Sequence, residues 1–427
     1  MIGTVLIGLF LLALVAGMPL ATGLGVASIA VLALAGFDQL AVPTNIYAGI
    51  AKYPLLAIPM FILAGMIFER SGVAVRLVRF VTAIVGEWTG SLAVVAVLVS
   101  MLLGGISGSG PADAAAVAAV MLPSMIKRGY PKGFSAGLIA ASGSTAIVIP
   151  PSVAFIVYSV MVPAATVPAL FAAGLFPGMI AALCLLVPAI VISRRYGFGR
   201  DYKAERPPLG KSFIDAIWGL LAPVIILGGL RTGIFTPTEA AVVAVAYGIF
   251  VGMVVYRSIT PRGLFRALVD AGELSAVVLM IIGIASVFAW AGNTLGIFDV
   301  AAKALVGLHS SAWLMLLSIN LLLLAAGMFL DAISIFLILL PLLVPIAIAM
   351  GWDLVWFGVM MTINLAIGQF TPPMAISLMI TSRIAGIGME ETFKWVIWLV
   401  LAMGAGLTLM IVFPQLALWL PGKLGYL

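Results

Sequence analysis

Apolar runs follow one another along almost the whole chain, with the charged residues collected between them. A spanning helix needs about 20 apolar residues. The pattern predicts such helices at about 2–18, 20–36, 54–70, 133–162, 168–194, 213–230, 237–256, 270–295, 354–382 and 393–420. Two further apolar regions, about 89–127 and 310–350, are broken near their middles, at 106–110 and 326–331. Halves of about 16 residues would extend only ~24 Å at 1.5 Å per residue. That favours re-entrant hairpins, which enter and leave on one side, over full crossings. Polar breaks inside lipid survive only where protein or a watery cavity covers the backbone. The stretches "GGISGSGPAD" (104–113) and "SGSTAIVIPPS" (142–152) therefore mark places that bind something.

Charge placement supports this layout. With the N-terminus outside and each hairpin returning to its starting face, the C-terminus is also outside. The inner face then receives 17 Lys and Arg residues, from Arg70 to Lys394, and the outer face keeps Lys52, Arg231, Lys303 and Lys423. The positive-inside rule demands such a split. Counting either hairpin as one crossing inverts everything after it. The main cytoplasmic linker is "SRRYGFGRDYKAERPPLGK", 193–211.

Of the 427 residues, 64% are hydrophobic and 8% charged, against about 25% charged in soluble domains. This is the composition of a polytopic all-α membrane protein. Residues 1–16 resemble a signal h-region, but lack a charged n-region or an A-x-A site, and read as a retained helix. The lone Cys184 lies in an apolar run as filler, and His309 is the only histidine, so no multi-histidine metal site exists. The excess of six positive charges needs no nucleic-acid partner. The "GKS" at 210–212 fails as a P-loop, because Glu205 stands where its first glycine belongs.

An internal repeat organises the breaks. "DAAAVAAVMLP" (113–123) and "DAISIFLILLP" (331–341) both run from Asp-Ala to a proline ten residues on. Gly129 leads to Pro150-Pro151 and Gly351 to Pro372-Pro373, each with a spacing of 21. In the charge-derived topology the two copies are inverted, an arrangement found in secondary transporters with a midplane site. One hairpin tip (Ser107 to Gly110) then faces a broken helix (Ser142 to Pro151). In the second copy Gly327 to Asp331 face Asn364 to Pro373. The chain divides into N-terminal scaffold helices (1–53), a first repeat (54–194), the linker with scaffold helices (195–269), and a second repeat (270–427). The first repeat holds an arm, the hairpin at about 89–127 and the broken helix at about 133–162. The second holds an arm, the hairpin at about 310–350, the broken helix at about 354–382 and a last helix.

Broken helices release carbonyl oxygens, which suit a hard cation such as Na⁺, while half-helix N-termini suit a carboxylate. Pro150 and Pro372 lack the N–H that would bond back one turn. Hydroxyls of Ser107, Ser109, Ser142, Ser144, Thr145 and Thr371, with the Asn364 amide, can complete the coordination. Ser142, Ser144, Asn364, Asp113 and Asp331 are also candidate substrate contacts. Asp113 reads equally as the third residue of a helix with Pro111 at its first position, stabilising that terminus, and Asp331 reads the same way. Serines here can also simply bond the preceding turn. Thr236 and Glu239 form a capping pattern. Glu69, Glu87, Asp270 and Glu273 fall near helix ends and read as interfacial. Arg76 and Arg79 belong to an amphipathic arm on the inner surface.

At "GGISGSGPADAAAVAAVMLPSMIKRGYPKGFSAG", "ASGSTAIVIPPSVAFIVYS" and "NLAIGQFTPPM", together with "GMPLATGLG" at 17–25, the chain resembles the large membrane subunit of the tripartite ATP-independent periplasmic (TRAP) transporters. The resemblance extends over essentially the whole chain. It implies an elevator-type secondary transporter in a bacterial inner membrane, coupling Na⁺ influx to uptake of a carboxylate-containing organic anion. It also implies a periplasmic substrate-binding protein and a small four-helix membrane subunit as partners. Because the chain begins almost directly with its first helix, that subunit is expected as a separate polypeptide. Carried over by position, a first Na⁺ site would involve Ser107, Ser109, Gly143, Thr145, Val148 and Pro150. A second would involve Gly327, Gly368, Thr371 and Met374, mainly through carbonyls. The alternatives are a stand-alone Na⁺/carboxylate symporter of related fold, a channel, and an intramembrane enzyme. The last lacks any nucleophile–base arrangement.

Overall fold

The computed structural model describes residues 2–200, 206–308 and 311–427, so Lys203 and Glu205 of the linker and His309 lie outside the described residues. Among the described residues every regular element is a helix. Among the described residues seven helices are long and apolar enough to cross a membrane, from Tyr53–Arg70 to Met389–Val412. The chain is a multi-pass membrane protein.

Both interrupted regions form helical hairpins. The first pairs Ser91–Ser107 with Gly110–Lys127, and the second pairs Ala312–Gly327 with Ala332–Ala349. Gly108 ends the first arm at φ +62°, a left-handed conformation that glycine adopts without a Cβ penalty. Each hairpin is followed by a broken helix. The first comprises Lys132–Ser144, a tight turn Thr145–Ile147, and Val153–Met161; the second comprises Leu354–Gly368 and Ile376–Ala385. Pro150–Pro151 and Pro372–Pro373 are both cis.

Local chemistry fixes several helix starts. Thr236 and Glu239 form a reciprocal capping box with Pro237 in the first turn, as their spacing requires. Asp353 caps Leu354–Gly368, accepting from the backbone N–H of Val355 (2.8 Å) and Trp356 (2.9 Å). Thr260 caps Pro261–Thr294 by accepting from the Gly263 N–H at 3.1 Å. That helix therefore begins about nine residues before the apolar run suggests. Its early residues carry Arg262, Arg266 and Asp270, which hydropathy alone leaves out, and Asp270 pairs with Arg70.

Other expectations need correction. Ala41–Ile50 is helical, though its ten residues with Pro43, Thr44 and Asn45 are too short and polar to read as a span. The run 168–194 divides at Leu185 into Val167–Cys184 and Leu186–Tyr196. The last run ends at Val412, where Pro414 cannot continue the hydrogen-bond ladder, and resumes as Gln415–Lys423. Asp113 is the fourth residue of its helix rather than the third, because the helix starts at Gly110 and Ser109 is its N-cap.

The helices gather into two groups that also touch, Pro261–Thr294 lying against Ala332–Ala349 and Ala57–Arg70 against Ser91–Ser107. Pro261–Thr294 lies against Leu20–Leu34, Ala41–Ile50 and Ala57–Arg70, and Ala57–Arg70 lies against Pro237–Ile249. The arm Val73–Val85 bridges Leu209–Arg231 and the first hairpin. The second group is the hairpins with their broken helices. Ile376–Ala385 packs on both Gly110–Lys127 and Lys132–Ser144, so the second broken helix closes onto the first hairpin and the first broken helix. The Tyr158 hydroxyl donates to the Leu354 carbonyl at 2.8 Å, joining the two broken helices. At the start of the linker, Phe198 and Tyr196 cluster with Tyr130, Phe134 and Trp395. Burial there pushes the Tyr130 phenol up to about 12, so it stays neutral.

Candidate functional site

Each hairpin tip touches a break, and small residues make the approach possible. A Cβ on Gly108 would collide with the Pro151 carbonyl oxygen. One on Gly143 would stand 2.7 Å from the Ala114 Cα, and one on Gly104 2.8 Å from the Ala146 Cα. In the second copy the Ala375 N–H donates to the Met328 carbonyl at 3.1 Å, tying tip to break. Ala375 itself holds φ +39°, a region a residue with a Cβ rarely adopts.

The tips and breaks enclose one cavity of about 410 Å³. Ser107, Ser109 and Gly110 line it from the first tip, Asp331 and Ile333 from the second, and Gln369 from the second break. Glu69 on Ala57–Arg70 and Leu274 on Pro261–Thr294 complete the opposite wall. The remaining lining is mostly apolar. Small-molecule sites have this form, an apolar cavity with a few convergent polar groups.

The expected site residues fall into distinct places. Ser107, Ser109 and Asp331 reach the cavity. Gly143, Thr145, Val148 and Pro150 lie buried behind it in the first break. Thr145 donates its hydroxyl to the Ser142 carbonyl at 2.7 Å, and Thr371 donates to the Ile367 carbonyl at 2.6 Å. Such hydroxyls keep oxygen lone pairs for a cation. Gly327 and Gly368 meet backbone to backbone, whereas Met374 is more than half exposed. The second break thus opens to the surface where the first does not.

Four candidate substrate contacts, Ser142, Ser144, Asn364 and Asp113, stand away from the cavity. The Ser142 hydroxyl pairs with Ser100 at 3.0 Å, and Ser144 donates to the Ala140 carbonyl at 2.8 Å. The Asn364 amide donates to the Asn320 carbonyl (3.0 Å) and to its side-chain oxygen (2.8 Å). Asp331 caps the second arm of its hairpin, accepting from the backbone of Ile333 and Ser334 and from the Ser334 hydroxyl. Asp113 accepts from the Ser107 hydroxyl, and its other oxygen has no protein partner.

Two cavity residues escaped the pattern. Gln369 is buried with an unpartnered Oε1 beside Gly110 of the other repeat. Its only signal in the sequence was its place inside "NLAIGQFTPP". Glu69, read as interfacial from its place near a helix end, does sit in the last turn of its helix, but that turn faces the cavity.

Residues 7–416 match the family described as "Tripartite ATP-independent periplasmic transporter, DctM component". Among curated proteins, the chain is 36% identical over 439 residues to the C4-dicarboxylate TRAP transporter large permease protein DctM of Rhodobacter capsulatus, covering 99% of each chain. It is 38% identical over 416 residues to the sialic acid TRAP transporter large permease protein SiaM of Vibrio cholerae, covering 97% of each. Among solved structures, the YdaH transporter of Alcanivorax borkumensis superposes with a TM-score of 0.65 over 88% of this chain and 89% of that one, at 15% identity. At that identity the likeness concerns the fold alone.

Proposed function

The chain belongs to the DctM component family of tripartite ATP-independent periplasmic transporters, and from that premise we propose that it carries a carboxylate-containing organic anion inward together with Na⁺. It is a permease component and not an enzyme. The observation that carries the proposal is the shared cavity, in which Ser107 and Ser109 of one tip meet Asp331 of the other and Gln369 of the second break. Oxygen-rich backbone beside a mostly apolar chamber suits a hard cation and an organic anion moving together.

In this reading the hairpins re-enter on one side of a bacterial inner membrane, and both termini lie on the periplasmic side. Na⁺ is cargo at two places, one at Ser107, Ser109, Gly143, Thr145, Val148 and Pro150, the other at Gly327, Gly368, Thr371 and Met374. The hairpins and broken helices move as one unit past the helices around Pro261–Thr294. A small membrane subunit and a periplasmic binding protein assist. Each cation crossing 100 mV releases about 2.3 kcal/mol, and a tenfold gradient adds about 1.4, so two ions support steep accumulation of a monoanion.

Reconstitution into proteoliposomes with those two partners tests the proposal. Uptake that needs Na⁺ and both partners is expected. Equal uptake in K⁺ buffer overturns the coupling, and full uptake without the binding protein favours a stand-alone symporter.

A further inference from the structure

We propose that Asp113 holds a coupling Na⁺ of its own, in a small void beside Ser107 and Glu69 and apart from the ligands in the first break. The inference rests on the Na⁺-coupled reading above. Asp113 is only 2% exposed, and one of its two carboxylate oxygens has no protein partner. A buried carboxylate satisfied on one side is expensive unless a cation or a proton joins it. No basic side chain pairs with it among the described residues.

The space is the right size. A void of about 10 Å³ is bounded by Gly65, Glu69, Leu103, Ser107 and Asp113, roughly what one water-sized guest occupies. None of residues 143–150 lines it, so it is distinct from the carbonyl ligands of the first break and shares only Ser107 with the first Na⁺ place. Gly65, Glu69, Ser107 and Ala112 line both the void and the main cavity, which gives an ion a short way in. Gly65 leaves the passage open, since a Cβ there would stand 3.4 Å from the Ser107 Cβ.

The chemistry selects a hard cation. The side-chain donors are all oxygen, two carboxylates and one hydroxyl, without nitrogen or sulfur. An all-oxygen donor set suits hard cations in general, and the Na⁺-coupled reading singles out Na⁺ among them. The Glu69 carboxyl lines the same void and offers it further oxygen donors. Asp113 thereby acts on the ion, and it lines no part of the chamber that takes the organic anion.

The test counts Na⁺ bound to the purified full-length chain by equilibrium ²²Na⁺ binding, and measures charge per cycle in proteoliposomes containing the partners. Asp113→Asn should bind one ion fewer than the wild type. It should also lower the accumulation ceiling about 50-fold per 100 mV, the equivalent of one charge. Glu69→Gln, on a half-open wall, should keep the count but raise the Na⁺ concentration for half-saturation severalfold. If Asp113→Asn does not fold, Glu69→Gln decides alone, and unchanged Na⁺ affinity overturns the proposal. An unchanged ion count in a folded Asp113→Asn overturns it, as does a current that follows pH and ignores Na⁺. A wild type that binds no Na⁺ instead overturns the coupled reading itself.

Discussion

Gly327 and Gly368 meet backbone to backbone, so that a methyl group on Gly368 would stand 2.6 Å from the Gly327 Cα. The second tip and the second break are held together by this contact of two glycines. Gly368→Ala forces backbone apart, as overpacking does at a cost of about 1–3 kcal/mol. Thermal unfolding in detergent should fall accordingly, and uptake should drop at least tenfold. Gly327→Ala, whose Cβ would stand 3.1 Å from the Gly368 Cα, should be milder. Equal and small effects from both would remove the junction from the account.

Thr145→Val and Thr371→Val keep shape and backbone while removing one oxygen each. Their hydroxyls donate to the Ser142 and Ile367 carbonyls. Loss of an oxygen ligand should raise the Na⁺ concentration for half-maximal uptake about three- to tenfold, about 0.6–1.4 kcal/mol. Expression should stay near normal. A Na⁺ titration that superposes on the wild type in both variants would assign the ions to backbone carbonyls alone.

Asn364 is expected to behave as a structural lock. Asn364→Ala removes two part-buried hydrogen bonds to Asn320, costing about 1–3 kcal/mol. Uptake per folded molecule should stay within about twofold, with unchanged substrate affinity. A selective loss of affinity would return Asn364 to the cargo path.

Much of this was legible in the sequence, for a physical reason. Glycine, serine and proline inside apolar runs are costly in lipid, so the tips at Ser107–Gly110 and the breaks at Pro150 and Pro372 stand out against the helices around them. The Asp-Ala and Pro-Pro landmarks then pair the copies. What stayed hidden depends on how the copies close. Gln369 reaches Gly110 across the repeats, and Ser107 binds Asp113 only because the helix turns at Gly108. Linear patterns carry no such distances. Ala41–Ile50 escaped because hydropathy cannot see a helix too short to span.

A disulfide can probe the movement. A Cβ on Gly105 of the first hairpin would stand 3.7 Å from the Pro223 Cβ of Leu209–Arg231, within the range a disulfide bridges. With Cys184 replaced by alanine, the pair Gly105→Cys and Pro223→Cys should crosslink under oxidation. Uptake should stop, then return on reduction. Full uptake by the crosslinked protein would exclude movement of the hairpin past that helix.

The most direct measurement places a cysteine in the shared cavity. Ser109→Cys in the Cys184→Ala background puts one thiol where the first tip lines the chamber. Membrane-impermeant thiol reagents would be applied from each face of sealed vesicles, with and without Na⁺ and the organic anion. Labelling from both faces is expected, slowed most when Na⁺ and the anion are present together. Labelling from one face only, at a rate that neither cargo changes, would contradict it.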